Sequence, residues 1–459
     1  RAWASQVARR PRPPRRASLV AGMIPVPEVP SFRTALKYWA RLGCVNFGGP
    51  AGQIAMMHRD LVAERKWIDE PRYLHALNFC SLLPGPEAQQ LATYIGWTLH
   101  GMRGGLVAGI LFVLPSIFVL LGLSWIYAAH GALPAVAAVL AGVKAVVVAI
   151  VLDAVLRIGR RALKSPLALA LAAAAFAAVA GGIAFPWIVL GAGVIGGAGA
   201  FGRGGSVEPP RTAEGEASSK GGADGPAEAA TRGGGLRVAR ILTVSLLLWL
   251  TPPLLVFSLL GQGSLPAKLY LFFTQAAFVT FGGAYAVLAY VNQAAVTQFG
   301  WITAAQAVDG LGLAESTPGP LIMVLQFVGF MAGWQAPAGG LSAGASAVLC
   351  ALLSTWATFL PSLTLVLIGA PYIERLRNVR ALSAALAAIL AAVTGVILHL
   401  GLTFGRSVLF PHGLAGGPAI SSLLVGIAAL VALRATKVSP ALLVLAGAVL
   451  GIVGAWVWR

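Results

Sequence analysis

The chain alternates long apolar runs with short interruptions, and the interruptions are of two kinds. Some are polar loops. Others are glycine and proline set inside apolar sequence, as in "NFGGP" at 46–50 and "LPGPE" at 83–87. Runs at 105–129, 134–157, 240–260, 341–370, 381–402, 417–435 and 438–457 approach or exceed the roughly 20 residues a helix needs to cross a bilayer core. Those at 166–181 and 185–201 are shorter. Four further segments, 33–64, 72–101, 267–299 and 304–334, read as pairs of short helices around a break. The pattern predicts an all-α polytopic membrane protein with broken (re-entrant or discontinuous) helices. It has about 11–13 transmembrane segments, the count depending on whether the broken segments cross or re-enter. The Ala- and Gly-rich runs suit close helix packing and lack the alternation of a barrel.

The breaks recur. Phe47-Gly48-Gly49 returns as Phe281-Gly282-Gly283, Trp67-Ile68 as Trp301-Ile302, and Pro84-Gly85-Pro86 as Pro318-Gly319-Pro320, each a step of 234 residues. Leu114-Pro115-Ser116 returns as Leu360-Pro361-Ser362 at a step of 246, so a small insertion intervenes. This is an internal duplication. Residues 202–240 between the copies are Gly-, Ala-, Ser- and charge-rich, and predict a disordered cytoplasmic linker. The expected organisation is a basic Pro-rich tail at 1–30, a first repeat at 31–201, the linker, and a second repeat at 241–459. The tail has no apolar stretch of the secretory-signal type, and Met23 is a candidate start.

Charge orients the repeats. The first motif region carries Arg33, Lys37, Arg41, Arg59, Arg65, Lys66, Arg72 and Arg103, whereas residues 267–340 carry Lys268 alone. Cations return at Arg375, Arg377 and Arg380. Because Lys and Arg concentrate in cytoplasmic loops, the first set faces the cytoplasm and the second faces out. The single span at 240–260 would turn the second half over. The expectation is two inverted-topology repeats with a cytoplasmic N-terminus, a common build of secondary transporters.

With 58% hydrophobic and 10% charged residues, and a mean hydropathy of +0.82, the chain is far from a soluble composition. The net charge of +18 sits in tails and loops, so no nucleic-acid partner is expected. The three cysteines and six histidines are scattered, which gives neither a disulfide framework nor a metal site. No phosphate-binding loop, zinc-protease helix or nucleophile elbow is present. The reading is a non-enzyme with no catalytic residues and no cofactor.

The breaks carry the candidate chemistry. Pro84-Gly85-Pro86 removes two backbone donors and bends the chain. Irregular backbone at membrane depth is tolerated where it is buried in protein or lines a cavity. A helix restarting after such a break aims free N–H groups and a positive dipole end at it, a ready anion site. The substrate-binding candidates are Asn46, Phe47, Gly48, Gly49 and Pro50, then Pro84, Gly85 and Pro86, with Phe281, Gly282, Gly283, Pro318, Gly319 and Pro320 in the second half. A simple kink or turn at each break is the alternative. Lys144 lies ten residues past Pro134, roughly 15 Å along a helix and near mid-bilayer, where an ammonium needs a partner. Asp153 is on the opposite face, so the partner is an anionic substrate, or Glu87 or Glu315 in a buried pair, unless the side chain snorkels. Glu87 and Glu315 flank the two Pro-Gly-Pro breaks. A carboxylate suits a helix start but repels an anion bound there, so Glu87 is protonated, paired or turned away. Glu87, Glu315 and Asp309 are the proton-coupling candidates. His58-Arg59 and Arg65-Lys66 draw anions to an inner mouth or simply set topology.

"FGGPAGQIAMMHRDLVAERKWIDEPRYLHALNFCSLLPGPEAQQLATYIGW" and "FGGAYAVLAYVNQAAVTQFGWITAAQAVDGLGLAESTPGPLIMVLQFVGF" resemble the two motif blocks of the chromate ion transporter family, in its long two-domain bacterial form. The resemblance implies a multi-pass inner-membrane protein that exports chromate, a tetrahedral dianion that sulfate mimics, and that is linked to chromate resistance. It carries the functional expectation onto Phe47 to Pro50, Pro84 to Glu87, Phe281 to Gly283 and Pro318 to Pro320. Ala289 stands where the second block is expected to hold a proline. The implied partners are chromate or a sulfate-like oxyanion and the lipid bilayer, with a homodimer left open. The alternatives are transport of sulfate or another anion, including uptake, and a non-transporting scaffold or a channel.

Overall fold

The computed structural model describes residues 29–199, 234–281, 283–372, 380–411, 413, 415, 417–436 and 438–457. The tail up to residue 28, most of the linker and Gly282 lie outside the described residues. Every regular element described is helical.

The first half opens with α1 (Phe32–Val45), capped by the Ser31 hydroxyl, which accepts from the Thr34 N–H. It stops at Asn46, and α2 (Gly49–His58) starts with Pro50 in its first turn. A π-helical turn, Arg59–Glu64, follows. Next come α3 (Glu70–Cys80), capped by Asp69, and then α4 (Glu87–His130), which bends at His100–Gly101. Long helices α5 (Pro134–Ala162) and short helices α6 (Pro166–Ala180) and α7 (Phe185–Gly199) complete the half. Helix α8 (Gly234–Leu260) links the halves. It begins inside the stretch read from sequence as linker, since Leu236, Val238 and Ala239 sustain a helix and Arg237 lies over the Trp97 ring at 5.5 Å.

The second half repeats the order. Helices α9 (Leu265–Val279) and α10 (Ala284–Asn292) enclose a break, and a π-helical turn, Gln293–Gln298, follows at the position of the first one. Helix α11 (Ala304–Ser316) ends at the second break. The chain restarts as a 3-10 turn, Leu321–Met323, and runs into α12 (Val324–Gln335). Helices α13 (Ala343–Gly369), α14 (Arg380–Leu409), α15 (Ile420–Ala435) and α16 (Pro440–Val457) close the chain.

Among the described residues five helices, α4, α5, α8, α13 and α14, are long and apolar enough to cross a membrane, and six apolar segments are shorter. The surface carries large exposed apolar side chains such as Leu247, Leu254, Trp187 and Val194. The chain is an all-α polytopic membrane protein. Helices α2 and α10, at 10 and 9 residues, rise only about 15 Å, half of a hydrocarbon core. Each broken unit therefore brings its break toward the middle of the molecule. Packing crosses between halves: α5 lies against α15 and α16, while α14 lies against α6 and α7. Small residues allow this close approach. A methyl group added at Gly142 of α5 or at Gly395 of α14 would collide with the backbone carbonyl of Gly447 or Ala172.

Candidate functional site

The four breaks meet. The Gly85 N–H donates to the Thr280 carbonyl at 3.0 Å, and the Gly319 N–H donates to the Asn46 carbonyl at 3.3 Å. These are the same bond in the two copies, because Thr280 and Gly319 lie 234 residues beyond Asn46 and Gly85. Each half thus closes the other's break. Both glycines require their identity: φ is 127° at Gly85 and 118° at Gly319, in the left-handed region. A methyl group at Gly85 would also meet Ser362 Oγ at 2.6 Å, and one at Gly319 would collide with Ser116 Oγ.

Breaking a helix orphans backbone groups, and buried side chains satisfy them. Gln53 Nε2 donates to the Asn46 carbonyl at 2.8 Å and to the Gly319 carbonyl at 2.5 Å. Ser116 Oγ donates to the Pro318 carbonyl at 2.5 Å, and Gln90 Nε2 donates to the Pro84 carbonyl at 2.8 Å. Asn46 Nδ2 donates to the Phe112 carbonyl at 3.3 Å, and Ser362 Oγ donates to Gln89 Oε1 at 3.3 Å. Asn46, Gln53, Gln89, Gln90 and Ser116 have no solvent exposure.

Between the breaks lies a tight cavity of about 10 Å³, room for about one water molecule in this conformation. Pro50 and Gln53 come from the first break, Pro86, Glu87 and Ala88 from the second, Gly283 and Ala284 from the third, and Pro320 and Leu321 from the fourth. Each of these segments begins a helix, so four helix starts surround one space. First-turn N–H groups lack intrahelical partners and carry the positive end of the helix dipole. Such an arrangement suits an anion whose oxygens point in several directions, and the helix starts must part to admit one. Gln53 Oε1, in the same wall, has no hydrogen-bond partner.

The carboxylates divide. Glu87 stands in the cavity wall, half-buried, with no hydrogen bond or ion pair among the described residues. Glu315 is buried and accepts from the Tyr285 hydroxyl at 2.9 Å. Asp309 is buried, accepts from the Tyr127 hydroxyl at 2.9 Å and pairs with Lys144 Nζ at 3.2 Å. Lys144 is thus partnered by Asp309 rather than by Glu87 or Glu315, and it is not part of the cavity wall. Among the described residues no group of three or more His, Cys, Asp or Glu could hold a metal ion.

Of the residues singled out from sequence, Pro50, Pro86, Glu87, Gly283 and Pro320 line the cavity. Asn46, Pro84, Gly85, Pro318 and Gly319 frame it through the backbone bonds above. Gly48 and Gly49 adopt left-handed backbone at the start of α2. Phe47 is 37% exposed and points away, and Phe281 is partly buried beside its break. Sequence reasoning missed Gln53, Gln89, Gln90, Ser116, Ser362, Tyr285 and Leu321. A signal existed for some of them. Ser116 and Ser362 end the repeated Leu-Pro-Ser motif, and the three glutamines are uncharged polar side chains inside apolar runs beside the breaks.

The chain matches the model of the chromate transporter family over residues 34–197 and 267–452. A chromate transport protein of Pseudomonas aeruginosa is 31% identical over 379 residues, 81% of this chain and 80% of that protein. A chromate transport protein of Cupriavidus metallidurans is 28% identical over 445 residues, 96% of this chain and 98% of that one. A probable chromate transport protein of Synechococcus elongatus is 29% identical over 381 residues, covering 82% and 85%. No solved structure matches. The matched regions are the two halves whose breaks close on one another, and the chain belongs to the chromate transporter family.

Proposed function

We propose that the chain is a secondary active transporter that exports chromate across the bacterial inner membrane and so confers resistance to it. One observation carries the reading: four helix starts, two from each half, surround a single small cavity. Backbone N–H groups there suit a tetrahedral dianion. The family relatives named for chromate transport support that substrate. The charge asymmetry of the two halves supports an inverted repeat with a cytoplasmic N-terminus and linker, and alternation of the halves around the central cavity. An inside-negative potential of 100 mV favours outward movement of a dianion by roughly 4–5 kcal/mol.

Glu87 sets the coupling. A carboxylate in an anion cavity repels the cargo unless it takes up a proton or a cation answers it. Among the described residues, Arg161 of α5 and Cys80 of α3 lie within electrostatic reach of it. In this reading Glu87 binds a proton together with the oxyanion. Glu315, held by Tyr285, and Asp309, held by Lys144 and Tyr127, are the further groups on the proton's route. Lys144 acts on the anion through Asp309.

The deciding experiment is flux of labelled chromate in proteoliposomes with imposed pH and voltage gradients, and with sulfate, molybdate and phosphate as competitors. Saturable chromate flux that responds to both gradients is expected, and its absence overturns the proposal. Preferred inward sulfate flux points to anion uptake instead. Flux without saturation or trans-stimulation points to a channel.

A further inference from the structure

The helices around the cavity pack differently in the two halves. In the second half, α10 packs on α14, and α11 packs on α5, α14 and α16. In the first half, α2 and α3 pack on α4, and among the described residues neither makes a comparable contact with α5 or α14. The C-terminal end of α5 carries a charged cluster. There Asp153, Arg157 and Arg161 recur at four-residue spacing, which puts them on one helix face. Asp153 is held by Arg434 of α15 at 3.0 Å and more loosely by Arg157 at 3.7 Å. Arg161 is exposed and forms no ion pair among the described residues. The Arg161 charge acts on Glu87 in the cavity wall, and the Arg157 charge acts on Glu315 and Tyr285 behind it.

We propose that Arg157 and Arg161 form a second anion station, at the cytoplasmic mouth, that takes the tetrahedral oxyanion from solution and passes it to the cavity between the helix starts. The proposal rests on the transport reading above. A guanidinium presents a planar fork of donors that matches two oxygens of an oxyanion, and it stays charged at every working pH. Two of them answer a dianion that Glu87 alone would turn away. Arg157 can exchange its long contact with Asp153 for the oxyanion, because Arg434 keeps Asp153 compensated. Membrane topology and the helix dipole account for cations at this end of α5, including Arg160 and Lys164. They do not account for two guanidinium charges that reach the two carboxylates flanking the breaks.

The test is the initial rate of chromate transport against chromate concentration, with the full chain in proteoliposomes. Arg157→Gln and Arg161→Gln are each expected to raise KM roughly tenfold while kcat stays within about twofold. Arg157→Lys with Arg161→Lys, which keeps the charge and loses the fork, should restore part of the loss, and Arg160→Gln should match the unaltered chain. An unchanged KM in both Gln variants, or an equal rise in Arg160→Gln, overturns the station. For variants that fail to fold, the unaltered chain decides: its KM must rise with ionic strength, and a salt-independent KM overturns the proposal. Vesicles of phosphatidylcholine alone are compared with vesicles containing phosphatidylglycerol. A KM effect confined to the anionic vesicles means that the arginines hold a lipid headgroup, which also overturns it. No chromate flux from the unaltered chain defeats the transport reading itself. Normal flux with unaffected variants defeats the station alone.

Discussion

The two halves have the same backbone frame and different chemistry. Breaks, π-helical turns and reciprocal N–H bonds stand in one register, yet the side chains at matched positions diverge. Asn46 faces Thr280 in the comparison, Gln53 faces Val287, Glu87 faces Leu321, and Gln90 faces Val324. Exposure diverges too. Residues 317–333 and all of α10 are buried, whereas α2 is mostly exposed or half-buried. The duplication kept the geometry that aims N–H groups at the cavity. In the cavity wall the ionisable side chain, Glu87, comes from the first half, while the buried carboxylates Asp309 and Glu315 belong to the second. On the proposed reading both halves hold the anion, Glu87 binds the proton, and Asp309 and Glu315 extend its route.

The largest effect should come from the shared frame. Gly85→Leu and Gly319→Leu each force a side chain into left-handed backbone, at about 1–2 kcal/mol, and into an occupied site. Both should abolish chromate flux and lower the melting temperature in detergent. A functional Gly319→Leu beside a dead Gly85→Leu would break the equivalence of the halves. Next is the asymmetric position. Glu87→Gln should make chromate flux independent of an imposed pH gradient, and Glu87→Leu, which copies Leu321, should lower the rate at least about tenfold. A pH response that survives Glu87→Gln would move the coupling to Glu315 or Asp309. The Lys144–Asp309 pair comes third. Removing one partner of a buried pair strands the other, at roughly 2–4 kcal/mol here because Lys144 is partly exposed. Lys144→Met with Asp309→Asn should be more stable than either single variant by thermal unfolding. If the double variant folds well and carries no chromate, the pair has a part in transport beyond stability. The smallest expected effect is Gln53→Val, which copies Val287 and gives up two bonds to the breaks, at about 1–3 kcal/mol. Flux should fall less than stability does.

The frame was readable in the sequence because it depends on residues with few substitutes. Only glycine fits the backbone at positions 85 and 319, and proline marks a helix restart, so identical motifs at identical spacing exposed the repeat. The apolar runs located the helices closely, including α6 and α7, short as they are. The start of α8 was hidden because Gly234 and Gly235 look like linker while the residues after them sustain a helix. Side-chain partners were not readable. Rotation along α5 excluded Asp153 for Lys144, but choosing Asp309 requires knowing that α11 packs on α5, which is a tertiary fact. Glu87 was ambiguous for the same reason: its local sequence fits a helix start in any orientation, and only the convergence of four breaks turns it into a cavity wall.

The crossed packing of α5 and α14 has its own consequence. Each long helix is gripped by the terminal hairpin of the opposite half, so the two halves of the sequence are interlocked along their long helices. A cut in the linker between 202 and 233 would leave two polypeptides still clasped together. A chain ending before α15 would strip α5 of its support and expose a seam of small residues. The linker joins the halves in synthesis, and the clasp joins them in the membrane.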